Sequence, residues 1–135
     1  IRDDIVDPRS TVSGGNFTTS LQPTSYAESG LPFSINVVTQ SVETRLPSGV
    51  IQGMKKRILE ITPVLYKTQN ITINGRQIPL NTYPASGVGG VTSYTGVTKT
   101  PGFLGYNQEA RITISQDQPV FLTVLSLDYK VSVGQ

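Results

Sequence analysis

The sequence has no cysteine and no histidine in its 135 residues. Without cysteine there are no disulfides, no thiolate nucleophile and no thiolate metal site, and the redox compartment is left open. Without histidine the usual general base and the commonest metal ligand are missing. Charge is also scarce, at 15 % of residues against roughly 25 % in ordinary globular domains. A weakly charged surface suits a subunit of an assembly better than a free monomer, because exposed strand edges are normally protected by charge. The formal net charge of +2 is too small to argue for nucleic acid on its own. No apolar run reaches the ~18 residues of a membrane-spanning helix, and no signal peptide is visible. The first residue is Ile1, so the sequence reads as a piece of something longer.

What is present is punctuation and alternation. Hydrophobic residues make up 36 %, with 13 glycines and 9 prolines spread between them. The length matches about one domain, large enough to bury a core without staples. Residues 1–32 are rich in Ser, Thr, Gly and Pro and read as an extended N-terminal arm, with one short strand around Asn16–Leu21. Residues 33–135 read as a single β domain.

Within that domain, Phe33, Ile35 and Val37 alternate with more polar neighbours, as in a strand with one wet face. Pro47 and Gly49 break it. The next stretch, "QGMKKRILEITPVLYKT", places three cations before an apolar run. On a helix, Ile51, Met54, Ile58 and Ile61 would share a face. Gly53, Pro63 and the β-branched residues favour a strand instead. On a strand, Arg57, Leu59, Ile61, Pro63, Leu65 and Lys67 share one face, so the interior is expected to begin at Leu59. Pro63 lacks an N–H and implies an edge strand or a bulge. Lys55, Lys56 and Arg57 then read as a cationic rim at the strand end, with phosphate contact as the functional alternative.

"NITINGRQIPL" contains Asn74-Gly75, the pair that suits a two-residue type I′ hairpin turn. That register sets Ile73 against Arg76, Thr72 against Gln77 and Ile71 against Ile78. Residues 81–108 read as a long Gly-rich loop, interrupted by a short strand around Val91–Val97. "ARITIS" alternates, "QDQP" turns, and "VFLTVLSLDYKVSV" is too long for an ordinary strand, so a bend is expected near Ser126. In that run Phe121, Leu125, Leu127, Tyr129, Val131 and Val133 share one face. The fold class expected is all-β: an antiparallel β-sandwich or open barrel-like domain with long loops.

No constellation carries bond-making chemistry. Gly87, Gly89, Gly90 and Gly96 have the wrong spacing for a phosphate loop, and Lys99 is displaced from its place in that motif. Asp3, Asp4 and Asp7 lack the pattern of a calcium loop and read as solvated charge. Asn16-Phe17-Thr18 and Asn70-Ile71-Thr72 match the glycosylation sequon, at a frequency that chance explains in a Thr-rich chain. Tyr83, Tyr94, Phe103 and Tyr106 are aromatics in the Gly-rich loop. They read either as a sugar-stacking or protein-docking surface or as packing onto the domain's own edge. No enzyme activity, cofactor or metal is expected.

Two stretches carry a resemblance: "LPSGVIQGMKKRILEITPVLYKTQNITINGRQIPL" at 46–80 and "GFLGYNQEARITISQDQPVFLTVLSLDYKVSVG" at 102–134. The first resembles the basic entry into a strand ending in Leu-Tyr-x-Thr, then a short hairpin, of the tail nozzle (tail tubular) proteins of short-tailed bacteriophages. The second resembles their closing hairpin. The resemblance implies a virion structural protein in the phage tail. It would form a ring, commonly of six copies, below the portal and adaptor, around the channel through which the genome leaves. Its partners would be copies of itself, other tail and portal-adaptor proteins, and passing DNA in non-specific contact. Lys55, Lys56 and Arg57 are the candidate DNA-facing residues, and no membrane span is implied. The alternative is a carbohydrate- or receptor-binding β-sandwich of tail-fibre or adhesin type, using the loop aromatics.

Overall fold

The computed structural model describes residues 10–18, 25–43, 45–47, 49–80, 92–101 and 105–134. Tyr83, Phe103, Val91, the first three aspartates, Gly87, Gly89 and Gly90 lie outside the described residues. Among the described residues there is no helix, and the chain runs through β1 (Ile35–Val38), β2 (Arg45–Leu46), β3 (Gly49–Val50), β4 (Lys56–Thr68), β5 (Thr72–Ile73), β6 (Arg76–Gln77), β7 (Tyr94–Val97), β8 (Thr100–Pro101), β9 (Thr113–Gln116) and β10 (Val124–Val133). Every pairing is antiparallel. One sheet has the order β1-β9-β5-β6 and the other β10-β4-β7, with β8 also pairing with β4. β2 and β3 form a separate hairpin, where sequence reading saw only a break at Pro47 and Gly49. Ser13 and Asn16 form a tight turn, exchanging backbone hydrogen bonds of 2.9 and 3.0 Å, and residues 19–21 of the strand expected around Asn16–Leu21 lie outside the described residues.

The two sheets pack against each other, as an all-β sandwich should. Ile58, Ile61 and Leu65 of β4 meet Ile71, Ile73, Ile78, Ile112 and Ile114 from the other sheet and its flanks. Val42 and Ala110 close the same cluster, and Leu122, Val124, Leu127 and Val131 pack along its margin. Burying each large aliphatic contributes about 1.5–3 kcal/mol, so this cluster is the principal cohesive element.

The Asn74-Gly75 hairpin takes the expected register, Thr72 opposite Gln77 and Ile73 opposite Arg76. Both turn residues have positive φ, 49° and 76°, as a type I′ turn requires. Ile78 N–H donates to Ile71 C=O at 3.0 Å, completing the predicted apolar pair. The hairpin is tied to β9 by Asn74, whose side-chain oxygen accepts from Thr113 N–H at 2.7 Å.

β4 departs from the simple alternation. Between Ile58 and Glu60 it carries one residue more than its partner, since Lys130 faces Glu60 while Val131 faces Ile58. That bulge reverses the parity. Leu59 is therefore 42 % exposed, and the inward face begins at Lys56 and Ile58 before resuming at Ile61, Pro63 and Leu65. The expectation that the interior starts at Leu59 is corrected by this one extra residue. A second irregularity lies between Leu65 and Thr68, where Lys67 has φ 44°.

Pro63 sits in a central strand rather than at an edge. Its carbonyl accepts from Thr98 N–H at 3.2 Å. Because N and O of a strand residue point to the same side, its missing N–H faces the interruption between β7 and β8. The anomaly is absorbed by a break in the neighbour. In β10 the expected bend near Ser126 is a register shift between Val124 and Ser126. Leu122, Val124, Leu127 and Val131 line the core while Phe121 and Leu125 are 74 % and 64 % exposed. The single face predicted for Phe121 and Leu125 with Leu127 is broken for the same reason.

Among the described residues β1 is paired only with β9, and it is exposed at all four positions. Sequence alternation predicted one wet face, but at the sheet margin neither face is well covered.

Candidate functional site

The basic triplet does not form one surface. Lys55 is exposed, Lys56 is fully buried and Arg57 is half-buried. Consecutive strand residues point to opposite faces, so Lys56 turns inward at the start of β4. Its ammonium donates to Glu43 Oε1 at 2.7 Å. Ser41 hydroxyl donates to the same carboxylate oxygen at 3.0 Å. The Lys56 hydrogen bond holds the Glu43 carboxyl below its ordinary value, with Ser41 adding to the effect and partial desolvation opposing it. The Lys56 backbone is also engaged, exchanging hydrogen bonds of 2.8 Å with Asn107. As a rim cation Lys56 is therefore corrected: its charge faces Glu43, not solvent or a passing phosphate.

The two described loop aromatics, Tyr94 and Tyr106, are not brought together either. Tyr94 lies on β7, half-buried against the core cluster, and its hydroxyl donates to Val97 C=O at 2.8 Å. Tyr106 is 51 % exposed, and its ring covers Gly134 so closely that an added Cβ would meet it at 3.3 Å. Tyr94 belongs beside Thr68 and Tyr106 beside the Lys56–Asn107 bridge. Those points are the two ends of β4, about 40 Å apart along an extended strand. Tyr94 therefore packs at one end of the strand and Tyr106 lies against Gly134 at the other.

Sequence reasoning missed a polar seam at the other end of β4. Thr68 hydroxyl donates to Thr123 C=O at 3.0 Å and accepts from Thr123 N–H at 3.1 Å. Asn70 amide donates to Gln118 Oε1 at 2.9 Å, and Gln77 donates to Asn70 Oδ1 at 3.1 Å. Gln116 amide donates to the carbonyls of Gln118 and Val120. The seam clamps the 117–123 turn to the sandwich. It also engages the Asn70 sequon side chain, which is buried. Only Gln116 carried a signal, since alternation with Ile112 and Ile114 assigns it to the interior; Thr68 has the opposite parity by counting and turns inward past the irregularity between Leu65 and Thr68.

One shallow groove of about 180 Å³ runs between Arg76, Ile78 and Pro79 on one wall and Thr98 to Pro101 on the other. It is smaller than the ~300–1,000 Å³ of ordinary ligand pockets. Arg76 is already committed, donating to Pro101 C=O at 3.1 Å. Thr100 Oγ1 is buried without a hydrogen-bond partner. Among the described residues no three acidic side chains converge in a way that would hold a metal ion. No helix there is long and apolar enough to cross a membrane.

The class defined by this architecture is an all-β, two-sheet sandwich whose most prominent unsatisfied features are sheet margins. Comparison with protein-family models finds no match for the chain, and comparison with curated proteins finds none either.

Proposed function

We propose that this chain is a non-catalytic structural module that works by assembly through its sheet margins. In the setting implied by the sequence resemblance it forms part of the tail nozzle of a short-tailed phage, in the wall of the genome-ejection channel. One observation carries the assembly reading. β1 is a margin strand whose Ile35, Val37 and Val38 are 37 %, 52 % and 49 % exposed, with Phe33 beside them at 46 %. An apolar strand left open at a sheet edge invites a partner. The stiffness a channel wall needs is supplied by the pairing of β4 with β10, the two longest strands. Within the nozzle reading, the exposed Lys55 is the member of the basic triplet placed to meet DNA, whereas Lys56 faces Glu43.

The test is assembly of the full-length gene product with portal and adaptor proteins, followed by electron microscopy. Rings enclosing a channel, with this module in the wall, are the expected result. A product that stays monomeric beside its portal and adaptor, or a gene with no portal or terminase gene nearby, overturns the nozzle reading.

A further inference from the structure

β10 ends its sheet, with β4 on one side and no described strand on the other. The direction of its backbone groups follows from two hydrogen bonds. Gly134 N–H donates to Lys55 C=O on the β4 side. Alternation along the strand then turns the even positions, down to Ser126, toward β4. Pro63 gives the same answer from the opposite strand. Its carbonyl points to Thr98, away from β10, so its cross-strand partner Leu127 turns its own groups away from β4. The backbone N–H and C=O of Leu127, Tyr129, Val131 and Val133 therefore face the open edge.

We infer that this edge pairs, antiparallel and about a twofold axis at Tyr129, with β10 of a second copy of the chain. The charges select both the partner and the register. β10 carries two charges, Asp128 and Lys130, one on each side of Tyr129. Both project to the outer face, where Lys130 meets Glu60 across the strand at 3.3 Å and is itself 71 % exposed. With the axis at Tyr129, Asp128 of each copy lies opposite Lys130 of the other. Two ion pairs form from one strand sequence. Moving the axis by one residue sets Asp128 against Asp128, or Lys130 against Lys130. Like charges directly opposite are unfavourable, so the two nearest slips are blocked.

A lone lysine on an edge strand discourages pairing altogether. Opposite charges two residues apart discourage every near register except one. On the other face Leu127 lies opposite Val131, and Tyr129, 44 % exposed, lies opposite its own copy. The contact is isologous and joins the two β10-β4-β7 sheets through about six backbone hydrogen bonds. It extends the assembly reading and rests on it only in treating the molecule as one that works in several copies. A twofold contact closes on two copies, so it is separate from any head-to-tail ring contact.

Sedimentation velocity against concentration tests the pairing. The unaltered chain is expected to form a reversible dimer. Asp128→Lys alone, and Lys130→Asp combined with Glu60→Gln to spare Glu60 a new repulsion, are each expected to weaken it about tenfold. An equal mixture of the two variants restores pairing, because each charge then meets its opposite. Far-UV circular dichroism confirms that both variants keep the β fold. The chain has no cysteine, which allows a direct reading of register. Tyr129→Cys is expected to give a disulfide-linked dimer on oxidation, since directly opposed strand residues lie about 5.5 Å apart, whereas Ser126→Cys is not. A chain that stays monomeric at every concentration, a mixture that pairs no better than its components, or linking at position 126 in preference to 129 overturns the inference. Failure of the pairing in these assays leaves the nozzle reading standing, because ring formation by the full-length protein is a separate contact with its own test.

Discussion

A lysine with no solvent exposure stands at the start of the longest strand, and its cost is met by a single carboxylate. The Lys56 stem lies within the sandwich margin and its ammonium reaches Glu43 at 2.7 Å. Removing one member of such a pair is worse than removing the buried charge itself, because an uncompensated ion is left behind. Glu43→Ala is therefore expected to lower the urea midpoint more than Lys56→Met does. Reversal of that order would show that the pair contributes little. The pH dependence has a definite sign. The Glu43 carboxyl is held below its ordinary value of 4.5 in the folded chain, first by the Lys56 hydrogen bond. The folded state then binds fewer protons than the unfolded one. The contribution is complete above pH 4.5 and is lost as pH falls through the lowered folded value. Stability below pH 4.5 is expected to fall less steeply in Glu43→Gln than in the unaltered chain, as measured by urea titrations across that range. The inward turn of Lys56 is not legible from alternation, since counting sets Arg57 on the face of Leu59 and Ile61 and only the extra residue opposite β10 reverses that parity. Its partner is not legible either, because Glu43 lies 13 residues away across the β2–β3 hairpin.

Strands keep their alternation only while both partners advance together. The Asn74-Gly75 hairpin was readable from its sequence because its geometry is local: two positive-φ residues decide it. The β4 bulge was not readable, because an extra residue exists only relative to β10. Leu59 and Ile61 share a face by counting, yet one is 42 % exposed and the other fully buried. The Leu125 irregularity divides Phe121 and Leu125 from Leu127 in the same way. This makes a sharp prediction at the level of the element. Ile61→Ala is expected to cost about 3 kcal/mol through the lost transfer energy and the cavity left in the core. Leu59→Ala is expected to cost less than about 1 kcal/mol. Equal losses in denaturant titration would mean that β4 has no bulge and runs in simple alternation.

At the scale of the molecule, composition and punctuation were enough to place the chain among all-β sandwiches. Strand order was not, because β1 joins β9 and β10 joins β4 over separations that no local motif records. The order matters because it leaves β1 and β10 at sheet ends, with different chemistry at each. β10 carries paired opposite charges, whereas β1 is apolar apart from Asn36. A contact through β1 must therefore draw on backbone pairing and apolar burial, without a charge code. Val38 lies on the face opposite the core side, across from Thr113, and is 49 % exposed. A lysine introduced there meets no buried surface but places a hydrated charge on the open edge, the device by which natural edges avoid partners. Val38→Lys is expected to change folding stability by less than about 1 kcal/mol while reducing assembly of the full-length protein. Denaturant titration measures the first quantity and sedimentation of the assembled protein the second. Unchanged assembly with unchanged stability would remove β1 from the contact surface. A large loss of stability would show instead that this position is covered within the folded chain.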